Sequence, residues 1–342
     1  MVPLSVAEIL ELITHASILD TSGEYKLAIG VLARNSLNSS DYSKKTEEKN
    51  EITLVSQCSL SRLHLLPELA KRWEGPLSIC VFLLPEEVET GIKILLLLRK
   101  CVPDLHHKAT FSVVYPLGSS HQPTLKLSFE NVSCDEISKL FSKFNRSNYD
   151  FGTISYPNNL LRNVARKAVK TDYMFIVDVD MIPSEHLRTR FLAYLKANKL
   201  SRERQGNLKN EQEKTVWVVP SYEIDVDAHI PDNKSNLLKL REMGKARPFY
   251  QELCWKCQKY TEYDAWERRK PRMNEKETDP LQHLYEVLWR DPWEPFYISK
   301  TNVPLYDERF RQYGFNRISQ SCILVLYDGA IPDRFRRRLA TY

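Results

Sequence analysis

Residues 173 to 187, YMFIVDVDMIPSEHL, carry an apolar run to its end, break into acid-x-acid and then meet a proline. A short run of β-branched and aromatic residues with such a boundary reads as a buried strand. A buried strand does not ionise two acids cheaply, so Asp178 and Asp180 are expected to protrude into a cleft or to hold a cation. Two residues apart on an extended chain, they point the same way. In an open α/β sheet, ligands bind beyond the carboxyl ends of the strands, which is where this pair falls. Their oxygens suit Mg²⁺ or Mn²⁺, ions that complete their shells with substrate phosphate and water. The pair is thus expected to present a divalent ion to a diphosphate, against the plainer reading of a chance acid pair capping the next helix.

The flanking sequence repeats the same alternation. ITLVSQ (52–57), LSICVFLL (77–84), FSVVYPL (111–117), GTISY (152–156), YMFIVDV (173–179) and TVWVVPSYEI (215–224) read as strands. Between them, PEEVETGIKILLLLRKC (85–101), CDEISKLFSKF (134–144), NNLLRNVARKAVK (158–170) and PSEHLRTRFLAYLKAN (183–198) read as helices. Strand-helix alternation predicts an α/β domain with a mostly parallel sheet covered on both faces. In the helix at 158–170, Leu160, Leu161, Val164 and Ala168 make one face, with Arg162, Arg166 and Lys167 turned away from it; its N-terminus suits an anion. In the helix at 183–198, Pro183 suits the first turn and Leu187, Phe191, Leu192 and Leu195 form one stripe. Residues 35–51 are polar enough for a linker, so the packed domain is expected to start after them. Residues 199–214 read as a charged surface loop, and the irregular, aromatic sequence beyond about 225 as binding surface.

Composition removes several classes. Forty-nine basic residues against 44 acidic give a net charge of only +5, too balanced for a nucleic-acid-binding face. There is no Gly-x-Gly-x-x-Gly or Walker-type loop among the ten glycines, which disfavours dinucleotide and P-loop chemistry. The N-terminus lacks a basic n-region, and Glu8 and Glu11 interrupt its apolar residues, so it reads as an amphipathic helix rather than a signal peptide or anchor. Asn-x-Ser sequons at Asn38, Asn131, Asn145 and Asn233 lie in polar surroundings that suit secretory surface loops. The one Cys-x-x-Cys, Cys254 to Cys257, has no second pair at zinc spacing; it reads as a local disulfide or as two buried thiols.

Longer blocks carry a resemblance. RWEGPLSICVFL, SYPNNLLRNVAR, FIVDVDMIPSEHL, ARPFYQELCWKCQ and DPWEPFYISKTNVPLYDERFRQYGFNRISQSC, in this order, closely resemble the β-1,4-glucuronyltransferases of glycosyltransferase family 49, over roughly residues 50 to 322. Relatives include the second catalytic domain of the LARGE xylosyl- and glucuronyltransferases. The resemblance implies a GT-A fold, with an N-terminal segment and linker at 1–50, a catalytic domain at 51–322 and a divergent tail at 323–342. It implies Mn²⁺-dependent, inverting transfer of glucuronic acid from UDP-glucuronate to a xylose-terminated glycan on an O-mannosyl primer of the α-dystroglycan type. Asp178 and Asp180 fall on its metal motif, and Asn158, Asn159 and Arg162 are placed with Asp178 near the nucleotide and donor. Trp293 and Phe296 are expected to offer flat faces to sugars, with Arg309 and Asn316 on the same side. Asp291 adds a further acid to that region. Glu294, Asp307 and Glu308 are candidates for the base; spacing does not choose among them, and acids beside Arg309 and Arg311 can equally form ion pairs that position a loop. The resemblance further implies a Golgi setting and association with other Golgi glycosyltransferases. It also implies a metal-ligating His beyond the NRISQ block, whereas the last histidine here is His283. The alternative expectation is therefore a truncated or non-catalytic relative that keeps the fold and binds or stabilises a partner.

Overall fold

A computed structural model describes residues 5–33, 48–117, 133–137, 141, 154–204, 215–270, 276–312, 314–326 and 337–341. Ser5 and Glu8 form a reciprocal capping box that starts the helix Val6–Ala16 (α1), whose Ile9 and Ile13 are buried. Ile18–Leu19 (β1) and Tyr25–Leu32 (β2) follow as an antiparallel pair. Next come Glu48–Ser59 (β3), Leu66–Arg72 (α2), Leu77–Phe82 (β4), Val88–Cys101 (α3), Pro103–Lys108 (α4) and Ala109–Pro116 (β5). Asn158–Lys167 (α5), Thr171–Ile176 (β6), Leu187–Arg204 (α6), Val216–Val219 (β7) and Tyr222–Ile224 (β8) lead into the second half. There, Lys234–Glu242 (α7), Ala246–Pro248 (β9), Trp255–Gln258 (α8), Tyr263–Arg268 (α9), Gln282–Val287 (β10), Phe296–Lys300 (β11), Asn316–Leu326 (α10) and Arg337–Thr341 (β12) complete the described elements.

Ten of these strands form one sheet in the order β1-β2-β5-β4-β3-β6-β11-β7-β12-β10. Its centre, β5-β4-β3-β6, is wholly parallel. Pairing directions make β2, β11 and β10 the reversed strands, so the sheet is mostly parallel, as the alternation requires. Period-2 alternation covers both faces. Leu54, Ile79 and Val113 enter one core with residues of α1 to α4 and α6, while Val55, Cys80 and Val114 enter a second with Leu160, Leu161 and Val164 of α5.

Several expectations are corrected. The packed structure begins before the polar stretch at 35–51, because β2 pairs with β5 and α1 packs on β2 and α3. Residues beyond 322 also join it, since α10 continues to Leu326 and β12 lies between β7 and β10. The run at 215–224 divides at Pro220, which has no N–H to donate to a ladder: β7 stays in the large sheet and β8 pairs with β9 in a separate ribbon. Helix α6 starts at Leu187 rather than Pro183, behind His186 at φ 61, and runs to Arg204 through part of the expected loop. Residues 154–156 are not strand, and Cys134–Glu136 is a single 3-10 turn. The rest of GTISY and of CDEISKLFSKF, and residues 205–214, lie outside the described residues. Arg162 and Arg166 do not face water; they are 3% and 8% exposed because α5 is enclosed all round.

Cys254 and Cys257 form a disulfide, and a second, not foreseen, joins Cys101 to Cys134. Asn233 is exposed and caps α7 by accepting from the Asn236 N–H; Asn38, Asn131 and Asn145 lie outside the described residues. Among the described residues, no helix is long and apolar enough to cross a membrane.

Helix α5 also suspends the loop that follows β11. Fully buried Asn163 donates from Nδ2 to the Tyr306 carbonyl (2.8 Å) and Glu308 Oε1 (2.9 Å), and its Oδ1 accepts from the Tyr306 N–H (2.9 Å). Arg166 donates to the carbonyls of Pro304 (2.7 Å) and Val303 (2.6 Å). Asn163→Ala is expected to cost about 2–4 kcal/mol, since each buried partner left unsatisfied costs about 1–3 kcal/mol. A urea titration showing a loss below about 0.5 kcal/mol would remove Asn163 from this role.

Candidate active site

The site grows out of the carboxyl ends of β3 and β6, which are parallel neighbours. The Val177 N–H donates to the Val55 carbonyl (3.0 Å) and extends the ladder by one residue; the chain then turns, closed by the Met181 N–H on the Asp178 carbonyl (2.9 Å). That turn carries Asp178 and Asp180 into a cleft of about 650 Å³, lined also by Gln57, Arg62, Tyr156, Asn158, Arg162, Glu294, Asn316 and Arg317.

Two guanidinium groups converge on Asp178. Arg162 Nη2 lies 3.1 Å from Oδ1, and Arg317 Nη2 lies 2.7 Å from Oδ2. Burial alone would raise this carboxyl, yet Arg317 and then Arg162 hold it below the usual carboxylate range. Arg162 is itself fixed: Nη1 donates to Asn159 Oδ1 (2.9 Å) and Asn316 Oδ1 (3.1 Å). Asn159 Nδ2 in turn donates to the Asp307 (2.8 Å) and Asn316 (3.2 Å) carbonyls, and Asn158 Nδ2 to the Gln312 carbonyl (2.7 Å). Arg317 lies over the Phe296 ring at 4.2 Å. Among the described residues, Asn158 Oδ1 and Arg162 Nε are buried without a hydrogen-bond partner, whereas Arg317 Nη2 is taken up by its ion pair with Asp178. Buried polar atoms are normally satisfied, so two such atoms on residues that line one cleft point to a polar ligand.

Asp180 and Glu294, two of the other cleft acids, differ from Asp178. Asp180 is accessible to solvent but crowded by protein, and among the described residues it makes no ion pair. Desolvation first and the charge of Asp178 second push its carboxyl up. Glu294 is also pushed up, chiefly by burial, against the pull of Arg317 and Arg162. Its backbone is held by the Cys254–Cys257 segment: the Glu294 N–H donates to the Cys257 carbonyl (2.9 Å), and Gln258 Nε2 donates to the Glu294 carbonyl (3.0 Å).

Of the three base candidates, Glu294 lines the cleft and Asp307 and Glu308 do not. Asp307 pairs with exposed Arg309 at 2.6 Å, and Glu308 accepts from Asn163. Arg309 and Asp291 are likewise off the cleft. Trp293 and Phe296 are corrected as sugar platforms. Trp293 is 0% exposed and donates from Nε1 to Thr261 Oγ1 (3.0 Å), while Phe296 is 2% exposed beneath Arg317. The aromatic residues that line the cleft and keep exposed surface are instead Tyr222, Phe249, Tyr250 and Phe315. Tyr250 (φ 56) and Phe315 (φ 56) hold left-handed backbone, uncommon for aromatic residues and concentrated at functional sites. Reading the sequence missed Arg317, Arg62, Gln57 and Tyr156. Arg317 carried a signal, since it directly follows Asn316 in the YGFNRI block.

Among the described residues, no group of three or more His, Cys, Asp or Glu side chains is placed to hold a metal ion. A divalent ion held by two carboxylates and completed by substrate oxygens nevertheless fits. Among the described residues Asp180 makes no ion pair and lies beside a like charge that a cation would relieve, and each oxygen of Asp178 retains acceptor capacity beyond its arginine.

Acids, guanidinium groups and aromatic faces converging beyond parallel strands define a cleft for an anionic, ring-bearing ligand, and the sequence comparisons put the chain among the glycosyltransferases. It belongs to the family described as "Glycosyl-transferase for dystroglycan", whose pattern matches residues 51–328. Beta-1,4-glucuronyltransferase 1 of Bos taurus is 37% identical over 329 residues, 93% of this chain and 71% of that protein. The Homo sapiens protein of the same name is 36% identical with the same coverage. Xylosyl- and glucuronyltransferase LARGE1 of Mus musculus is 28% identical over 273 residues, 80% of this chain and 28% of that protein. The crystal structure of S. aureus TarS aligns with a TM-score of 0.34 and 11% identity, over 85% of this chain and 58% of that one.

Proposed function

We propose that the protein transfers glucuronic acid from UDP-glucuronate, with inversion and in β-1,4 linkage, to a terminal xylose on an O-mannosyl glycan primer. The observation that carries this reading is the convergence of Arg162, Arg317, Asp178, Asp180 and Glu294 on one cleft, in a chain related to proteins named β-1,4-glucuronyltransferase 1. Asp178 and Asp180 hold Mn²⁺ in this reading, which when bound supplies neutralising charge to the leaving diphosphate. Arg162, set by Asn159 and Asn316, orients the donor's anionic groups. Asn158 offers its unpartnered Oδ1 to the donor side. Glu294 accepts the proton from the acceptor hydroxyl as that oxygen attacks the anomeric carbon and the bond to UDP breaks. Tyr250 and Phe315 supply ring faces for the acceptor. The two disulfides suit an oxidising compartment such as the Golgi lumen, where other glycosyltransferases are the natural partners.

The second reading is a non-catalytic relative that binds or stabilises a partner. It is favoured by the two-carboxylate metal site, which has no third protein ligand among the described residues. Purified protein should release UDP from UDP-glucuronate only when Mn²⁺ and a β-xyloside acceptor are both present. UDP binding without any release would favour the second reading.

A further inference from the structure

Two nearly buried guanidinium groups closing on one carboxylate make a carboxylate-binding site, because the planar fork of arginine matches that shape. In this protein Asp178 fills it from within. The two arginines are held unequally. Arg162 is fixed by Asn159 and Asn316 as well as by Asp178. Arg317 rests on the Phe296 ring and, among the described residues, takes its one ion pair from Asp178, through Nη2. It extends into the cleft from the second residue of α10, within the electrostatic reach of Glu294. Arg317 is therefore the guanidinium freer to take another anion.

We propose that Arg317 is the specificity-determining residue that reads the donor's sugar carboxylate, with Asp178 occupying that place until donor and cation arrive. This rests on the reading of the donor as UDP-glucuronate. Once Asp178 turns to a cation shared with Asp180, Arg317 would stand as a buried charge without its anion, which is unfavourable. The hexuronate carboxylate restores the pair. A neutral hexose donor leaves Arg317 unpaired, and sites built around a polar partner reject analogues that lack it. Cation and hexuronate thus favour each other's binding through one exchanged carboxylate.

The test is calorimetric titration of UDP-glucuronate, UDP-glucose and UDP into the whole protein with Mn²⁺ present, for the parent, Arg317→Gln and Arg317→Lys. The parent is expected to prefer UDP-glucuronate over UDP-glucose. Arg317→Gln should weaken UDP-glucuronate about 10–100-fold, the range for a lost hydrogen bond to a charged group, and change UDP by less than about threefold. Arg317→Lys, which keeps the charge and loses the fork, should fall between them; it also serves if the Gln variant does not fold. Equal weakening of UDP and UDP-glucuronate would assign Arg317 to the diphosphate and overturn the proposal. A preference for UDP-glucuronate that survives both substitutions would overturn it while leaving the donor reading intact. A parent with no such preference would overturn the donor reading itself, and this proposal with it.

Discussion

Asp180→Asn is expected to lower Mn²⁺- and acceptor-dependent UDP release by about 10²–10³-fold, the range for losing one preorganised charge-stabilising group. Stability should move by less than about 0.5 kcal/mol, as for an isosteric change at a solvent-exposed side chain. Asp180 stands in the cleft, contributes no core volume and, among the described residues, pairs with no cation. Its carboxyl is pushed up, so the protein already disfavours its charge, and removing that charge costs the fold nothing. The isosteric change two residues earlier behaves differently. Asp178→Asn strips the shared anion from Arg162 and Arg317, and breaking such a buried pair costs about 3–5 kcal/mol.

Linkage gives that contrast a pH dependence. Asp178 in the folded protein sits below its ordinary value of 3.8, so its stabilisation is fully present above that pH and is lost as pH falls toward the folded value. Thermal melts of parent and Asp178→Asn should therefore converge on acidification below about pH 3.8 and stay apart at neutral pH. An Asp180→Asn protein as active as its parent would end the metal assignment. One that fails to fold would contradict the placement of Asp180 outside the core.

What was readable in the sequence was whatever depends on local pattern. The apolar runs of β3, β4, β5 and β6 alternate with helices of 3.6 period, and these fix the parallel centre of the sheet. Asp178 and Asp180 fall beyond the carboxyl end of a strand because hydrophobic runs stop where burial stops. What was not readable depends on long-range packing. Trp293 and Phe296 look like sugar platforms in a linear block, but a flat apolar ring serves a core as well as a ligand, and only the fold shows them at 0% and 2% exposure. Arg162 looked solvated because a helical wheel knows one partner face, whereas the loop at 301–312 closes over the other. Arg317 was passed over because its meaning comes from a carboxylate 139 positions earlier in the chain. The N-terminal strands escaped notice for the same reason, since β2 is defined by pairing with β5 across a long polar insertion.

Glu294→Gln is the second large effect: transfer should fall about 10²–10⁴-fold, the usual contribution of a positioned general base. Donor binding should persist, because the amide keeps the shape and the backbone bonds to Cys257 and Gln258 do not involve the side chain. The matching changes at Asp307 and Glu308 should leave the proton-transfer step alone, since Asp307 is tied to Arg309 and Glu308 to Asn163, away from the cleft. The pH profile separates a base from a merely structural acid. A base acts only when ionised, and Glu294 is raised above its ordinary 4.5, mainly by burial. The parent's rate should therefore decline with falling pH along a limb that lies above 4.5, and that limb should be missing from the residual activity of Glu294→Gln. An intact limb in the variant, or a donor affinity that drops along with the rate, would take the base role from Glu294. The acid would then be read as a counter-charge that helps hold Arg317, the cation that acts on it most strongly.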